Sequence, residues 1–356
     1  MDHPLRRTNL IERLPEGVDA MLVTGLPNVR YLTGFTGSNA QAVVGASGSV
    51  FFTDGRYTEQ SRHEVPDLER VTYKSSGWAR ALLDRCGSLG ITKLGFESQQ
   101  LSVKSWRDLT SKLEGIELVS TEDLVEQLRW VKEPEEVSSI ERAQDATDAA
   151  FEEILDRVSV GMTERQLART LEDAMFRAGA DGLSFETIAA FGENAAEPHH
   201  EPTHRALREG DAIKLDFGAM WGGYHTDMTR TIAFGQAPAE LRKIHDVVRE
   251  AQQAGIDAVR PGAVCKEVDA LVRNVISDAG FEPYDHGLGH GVGLEIHEGP
   301  GLTASSEEVL PVGAVVTVEP GIYVAGLGGV RIEDVVEVTP DGCRALPDST
   351  RELIEL

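Results

Sequence analysis

Five residues able to ligate a metal ion, Asp216, Asp227, His290, Glu319 and Glu333, lie in the C-terminal half of the chain. Each sits in a short strand-like or glycine-rich segment that could aim it into a common pocket. The strongest stretch is DAIKLDFGAMWGGYHTDMTRT, residues 211 to 231, where Ile213, Leu215 and Phe217 alternate with other side chains up to Trp221-Gly222-Gly223-Tyr224. That alternation is the pattern of a β-hairpin. With a reversal between Trp221 and Gly222, Asp216 falls opposite Asp227, and cross-strand partners point to the same face of a sheet. Two carboxylates so close repel unless one takes a proton or a cation lies between them. A solvated hairpin face is the ordinary explanation of a lone Asp, but Asp216 lies within the apolar run Ile213 to Phe217, which favours the metal.

A second acidic pair follows in AVVTVEPGIYVAGLGGVRIEDVVEV, where Glu319 ends a β-branched run and Glu333 follows Val330-Arg331-Ile332. This too reads as a hairpin carrying two acids. Exposed Glu beside a turn is common, so the weight of this pair comes from its repeating the first. Between the two lies DHGLGHGVGLEIHEGPG, residues 285 to 301, with three of the chain's ten histidines: His286, His290 and His297. His286 and His290 have the spacing of a zinc-binding helix, but each of Gly287, Gly289, Gly291 and Gly293 disfavours helix by about 1 kcal/mol. A glycine-rich loop or strand is expected instead, and glycine lets backbone and ligand approach closely.

The elements that must position these groups show a weak internal repeat. VSVGMTERQLARTLEDAMFRAG (158 to 179) can be laid without a gap on VRPGAVCKEVDALVRNVISDAG (259 to 280). Leu167, Leu171 and Met175 then match Val268, Val272 and Ile276, the apolar stripe of a helix, and Gly179 matches Gly280 as its left-handed cap. Thr163 and Gln166 add a capping box to the first copy. Each copy precedes one acidic hairpin, which implies two related half-domains, each giving two carboxylates to a central site.

Composition bounds the rest. A chain of 356 residues, 41% of them hydrophobic, is long enough for two domains with ample cores. A formal charge of −25 argues against nonspecific nucleic-acid binding, which rests on phosphate neutralisation by Lys and Arg. No apolar run approaches the roughly 18 residues of a spanning helix, so no membrane association is expected. The opening MDHPLRRTNL lacks the apolar core of a signal peptide, so the cytoplasm is the expected location. Cys86, Cys265 and Cys343 are well separated and form no C-x-x-C motif, which indicates neither a disulfide framework nor a thiolate metal site. Before residue 130, VDAMLV, AQAVVGASGSVFFTD with a turn at Ala46-Ser47-Gly48, KLGFE, a helix near Ser102 to Leu113, and IELVS alternate as in a small α/β domain. Glu122 to Lys132 reads as a linking helix, and Pro134 opens a long amphipathic one. The boundary falls near residue 130, giving domains 1–130 and 131–356.

These stretches resemble the proline-specific metallopeptidases of pita-bread fold, the Xaa-Pro dipeptidases (prolidases) and aminopeptidases P. The resemblance covers nearly the whole chain. It is carried by GENAAEPH, LDFGAMWGGYHTDMTRT, HGLGHGVGLEIHE, VEPGIY and GGVRIED in the second domain, and by NVRYLTGFTGSNA and TDGRYTEQ in the first. It implies an α/β (α+β) architecture: a small non-catalytic N-terminal domain of creatinase/prolidase type, then a pita-bread catalytic domain with a pseudo-two-fold repeat. It further implies two divalent metal ions, bridged by Asp227 and Glu333, with Asp216 completing one and His290 and Glu319 the other. Oxygen-rich shells with one imidazole suit Mn2+, with Co2+ or Zn2+ as substitutes. The implied chemistry is hydrolysis by a hydroxide bridging the two ions, with Glu319 shuttling the proton. His199, His286 and His297 would hold the substrate and stabilise or protonate the intermediate and leaving nitrogen, and Arg331 would orient substrate or steady the acids.

The expected substrates are Xaa-Pro dipeptides, or short proline-containing peptides for the alternative, an aminopeptidase P; a homodimer is the expected assembly. More remote readings are a creatinase-like hydrolase or a non-catalytic pita-bread binding protein, both of which would be expected to lack the five ligands. The chain departs from the family in following His199 with His200-Glu201-Pro202-Thr203-His204, more polar than the small or aromatic continuation expected there.

Overall fold

The computed structural model describes residues 1–74 and 77–356. They form two compact units, Met1–Arg129 and Trp130–Leu356.

In the first unit, a six-stranded mixed sheet runs in the order Glu69–Tyr73, Gly48–Asp54, Ala40–Gly45, Ala20–Val23, Lys93–Glu97, Glu117–Thr121. Gly45 pairs with Gly48, so Ala46 and Ser47 form the hairpin tip. Leu22, Phe52, Leu82 and Leu94 lie in its core. The helix Val103–Lys112 starts where the Ser102 hydroxyl accepts the Ser105 N–H, a side-chain cap. The linking helix is shorter than its sequence suggests, covering only Glu126–Arg129. Asp123 adopts a left-handed φ of 53° ahead of it. Beyond it, the Lys132 N–H bonds the Gly313 carbonyl rather than a residue one turn back, as a helix requires.

In the second unit, the helix Pro134–Leu155 begins with proline in its first turn and a Glu133/Glu136 capping box. The sequence repeat appears as two helices of equal length, Glu164–Arg177 and Cys265–Asp278, 14 residues each. The first buries Leu167, Leu171 and Met175 against Ile213, Leu215 and Phe217. The second buries Val268, Val272 and Ile276 against Val316, Val318 and Val336. Each half therefore has its own core, built by one apolar helical stripe on one sheet. The sheets are Met228–Ala233, Ala212–Phe217, Ile188–Phe191 in the first half, and Glu298–Leu302, Gly289–Gly291, Val315–Val318, Asp334–Thr339, Gly342–Ala345 in the second.

The first acidic hairpin has a different register from the one read from sequence. Gly222 and Gly223 take φ of 57° and 77°, so together they form a tight two-residue turn of the kind that matches strand twist. Trp221 then pairs with Tyr224, and Asp216 pairs with Thr229 rather than Asp227. Because side chains alternate faces, a slip of two residues leaves Asp227 on the same face as Asp216. Among the described residues no helix is long and apolar enough to cross a membrane.

One buried histidine makes this unit acid-sensitive. His245, on the helix Ala239–Ala258, is 2% exposed. Burial pushes its pKa down to about 4, and the Asp246, Arg249 and Glu352 charges near it do not reverse this. A ring neutral when folded but protonated when unfolded contributes stability above its unfolded pKa of about 6.5, lost as pH falls towards 4. The loss should reach about 2–3 kcal/mol. Urea unfolding at pH 7 and pH 4.5 should show His245→Leu losing less stability than wild type by that amount. Equal losses in both proteins would refute it.

Candidate metal centre

Strand alternation puts Ile213, Leu215 and Phe217 into the first core and turns Lys214 and Asp216 to the opposite face. Asp227 immediately precedes the strand Met228–Ala233. In the second half, Val318 pairs with Asp334 and Gly321 with Arg331, so Glu319 and Glu333 lie opposite each other where two ladders meet. The halves join at this point: the Thr229 hydroxyl donates to Glu333 Oε2 at 2.6 Å, and the Glu333 N–H to the Thr229 carbonyl at 3.1 Å.

His290 occupies the middle of the strand Gly289–Gly291, not a helix. Its glycine neighbours are required by space. A Cβ on Gly289 would meet the Thr317 carbonyl oxygen at 2.0 Å, and one on Gly291 the Gly299 oxygen at 2.2 Å. The Nδ1–H of His290 donates to the Gly291 carbonyl at 3.0 Å. That bond fixes the tautomer and leaves the Nε2 lone pair free. Nε2 lies 3.6 Å from Asp227 Oδ2 and 3.5 Å from Glu319 Oε1.

One cavity of about 540 Å³ is lined by His199, Asp216, Asp227, His286, His290, His297, Glu319, Arg331 and Glu333. Within it, ligand atoms of Asp227, His290 and Glu333 lie within 4.8 Å of one another. Asp216 and Glu319 sit beside that trio, Asp216 in an ion pair with the Arg331 guanidinium. His297 packs edge-on against His290 with ring centres 4.5 Å apart.

The electrostatics are those of a cation site. Burial, then mutual repulsion among the acids, pushes Asp227 and Glu333 well above the carboxylate range, and burial takes Glu319 to about 7. Burial lowers His290 to about 4, so the ring is neutral. Asp216 Oδ1, Asp227 Oδ1 and Glu333 Oε1 are buried with no hydrogen-bond partner among the described residues. Buried orphan oxygens on three separate acids are costly unless a cation satisfies them. Four carboxylates and one imidazole lone pair therefore fit divalent, oxygen-preferring ions.

Arg331 is held more firmly than its place in the sequence suggests. Besides Asp216, its guanidinium donates to Thr229 Oγ1 at 2.9 Å, the Pro198 carbonyl at 3.2 Å and the Tyr323 hydroxyl at 2.9 Å. Sequence reasoning assigned Tyr323 no role, yet its hydroxyl also lies 3.0 Å from His286 Nε2. Burial lowers His286 to about 4, and its Nδ1–H is committed to the Gly287 carbonyl, so Nε2 accepts from the tyrosine. The available signal was an aromatic residue in the VEPGIY segment between the two acids.

Residues 138–340 match the model of metallopeptidase family M24, and residues 6–131 that of the creatinase/prolidase N-terminal domain. The chain is 34% identical over 340 residues to an Xaa-Pro dipeptidase of Pyrococcus horikoshii, covering 95% of each. The solved structure of an Xaa-Pro dipeptidase from Bacillus anthracis superposes with a TM-score of 0.97 at 38% identity, covering 100% of both chains. That of an X-Pro aminopeptidase from Thermotoga maritima superposes with a TM-score of 0.92 at 33% identity, covering 99% of this chain and 100% of that one.

Proposed function

Because the chain belongs to metallopeptidase family M24, we propose that it hydrolyses the imide bond of Xaa-Pro dipeptides. The observation that carries this reading is the convergence of three partnerless buried carboxylate oxygens and a free imidazole lone pair on one cavity. The Xaa-Pro dipeptidases among its relatives supply the substrate class. In this reading residues 131–356 are the catalytic domain and 1–130 a non-catalytic one, in a cytoplasmic homodimer.

Asp227 and Glu333 would bridge two divalent ions, Mn2+ by preference, with Asp216 on one and His290 and Glu319 on the other. Bound there, two cations supply Lewis acidity, acidifying a water and offsetting negative charge on the attacked carbonyl oxygen. Glu319 takes the proton released at attack and returns it towards the proline nitrogen. Arg331 and Tyr323 hold Asp216 and His286 in place. His199 and His297 line the cavity as donors to the substrate and to the nitrogen that leaves, while His286, whose ring nitrogens are taken by Gly287 and Tyr323, shapes the wall beside them. A proline nitrogen has no N–H, so recognition falls to these side chains rather than to a backbone acceptor.

The test is cleavage of Ala-Pro, Ala-Pro-Ala and Ala-Ala by chelator-stripped protein, with and without Mn2+. Manganese-dependent cleavage of Ala-Pro alone is expected. Cleavage of Ala-Pro-Ala would make the enzyme an aminopeptidase, like the Thermotoga maritima neighbour. No turnover of either proline substrate would overturn the reading.

A further inference from the structure

The polar run after His199 is tied to a buried carboxylate on the first repeat helix. His199 itself is exposed at the cavity, and its side chain has no hydrogen-bond partner among the described residues. Its place is therefore set by the chain on either side. Before it, Lys214, fully buried, donates through Nζ to the carbonyls of Glu197 and Pro198. Arg331 Nη1 donates to the same Pro198 carbonyl at 3.2 Å.

After it, His200 turns inward and is 6% exposed. Its Nε2 lies 3.0 Å from Glu164 Oε2 and its Nδ1 2.6 Å from Glu197 Oε2. Glu164 is 0% exposed. Its carboxylate also accepts the Phe191 N–H at 2.8 Å, Asn194 Nδ2 at 2.9 Å, the Thr203 N–H at 2.9 Å and the Thr203 hydroxyl. One buried acid thus fastens both ends of the segment from Phe191 to Thr203, with His199 in between.

We infer that Glu164 and His200, with Lys214 opposite, are positioning residues that hold the His199 imidazole at the cavity; this rests on the peptidase reading above. A buried ion pair is a weak source of stability, because desolvation offsets most of the attraction, and its better-attested use is to fix one geometry. Burial disfavours a charged His200, but the hydrogen bonds to Glu197 and Glu164 outweigh it and hold the ring above its usual pKa. Ring nitrogens on opposite edges thus reach two carboxylates at once, so swinging away would forfeit both contacts.

A double-mutant cycle in the manganese-loaded enzyme tests this, with kcat/KM for Ala-Pro as the readout. His200→Ala should lower it about 10-fold, as loss of a supporting partner does. In a His199→Ala background the same change should cost less than about 2-fold, because the residue it positions is gone. Equal losses in both backgrounds, or none in the first, would overturn the inference.

His199 ring signals in a long-range 1H–15N spectrum give a readout independent of turnover. A single sharp resonance in wild type should broaden or split in His200→Ala, and an unchanged signal would count against the clamp even if Ala-Pro proved not to be the substrate. Should His200→Ala fail to fold, Glu197→Gln, at a largely exposed side chain, should give a smaller loss that again disappears without His199; a loss that persisted would sink the idea.

Discussion

Asp227→Ala and Glu333→Ala are each expected to lower kcat/KM for Ala-Pro by at least about 1,000-fold, the scale of losing a principal electrostatic stabiliser. Bound metal should fall in parallel. The two acids come from different halves of the domain, and each carries a buried oxygen with no partner among the described residues, so no neighbour can substitute for either. The fold should survive. Asp227 repels Glu333, Asp216 and Glu319, and removing one of four crowded acids relieves that repulsion in metal-free protein. The chelator-stripped variants should therefore melt within a few degrees of stripped wild type and lose the rise in Tm that Mn2+ gives it. Metal analysis and thermal melts check both points. Wild-type turnover with both bridging acids removed would rule out the dinuclear assignment.

The largest stability effect is expected behind the site, at Asp334. This side chain is 0% exposed and accepts from Arg230 Nη2 at 2.7 Å, Gln252 Nε2 at 2.8 Å and Arg351 Nε. Arg230 is buried too, and also donates to the carbonyls of Glu333 at 2.6 Å, Thr229 at 2.9 Å, Thr350 at 2.9 Å and Ser349 at 2.9 Å. Asp334→Ala would leave a guanidinium in the core without its counter-charge, at a cost of about 3–5 kcal/mol. In a unit of this size that lowers Tm by on the order of 10 °C. Asp334→Asn keeps an acceptor but not the charge and should lose about half as much. Because Arg230 grips the backbone of Glu333 and Thr229, the Ala variant should also bind Mn2+ more weakly. Urea unfolding with a loss below about 1 kcal/mol would show that the network relaxes around the gap.

Much of the frame around the site is legible in the sequence, because local chemistry decides it. The helical stripes at Leu167, Leu171, Met175 and Val268, Val272, Ile276 need only a period of about 3.6 residues to be seen. The face of Asp216 follows from strand alternation, even though the register slipped: turn geometry at Gly222-Gly223 depends on backbone dihedrals that spacing alone does not reveal. The linking helix is shorter than its sequence suggests for a similar reason. Its helical propensity loses to a tertiary hydrogen bond from Lys132 to Gly313, and tertiary context routinely outweighs propensity. The supporting groups were the least visible. Glu164 reads as an ordinary first-turn acid, Lys214 as a polar residue in a strand, and His200 as a break in pattern. Their roles exist only because segments distant in the chain converge.

Thr229 and Glu333, which meet across the two halves, are 104 residues apart in the chain, and the three cysteines are free. Ions gripped from both sides of this junction would act as a reversible cross-link closing a long loop of chain. For a covalent bond closing roughly 100 residues, the entropy removed from the unfolded ensemble is worth about 4.7 kcal/mol. A chelator would then do more than silence chemistry: it would release the clasp between two half-domains and leave their facing acids to push them apart.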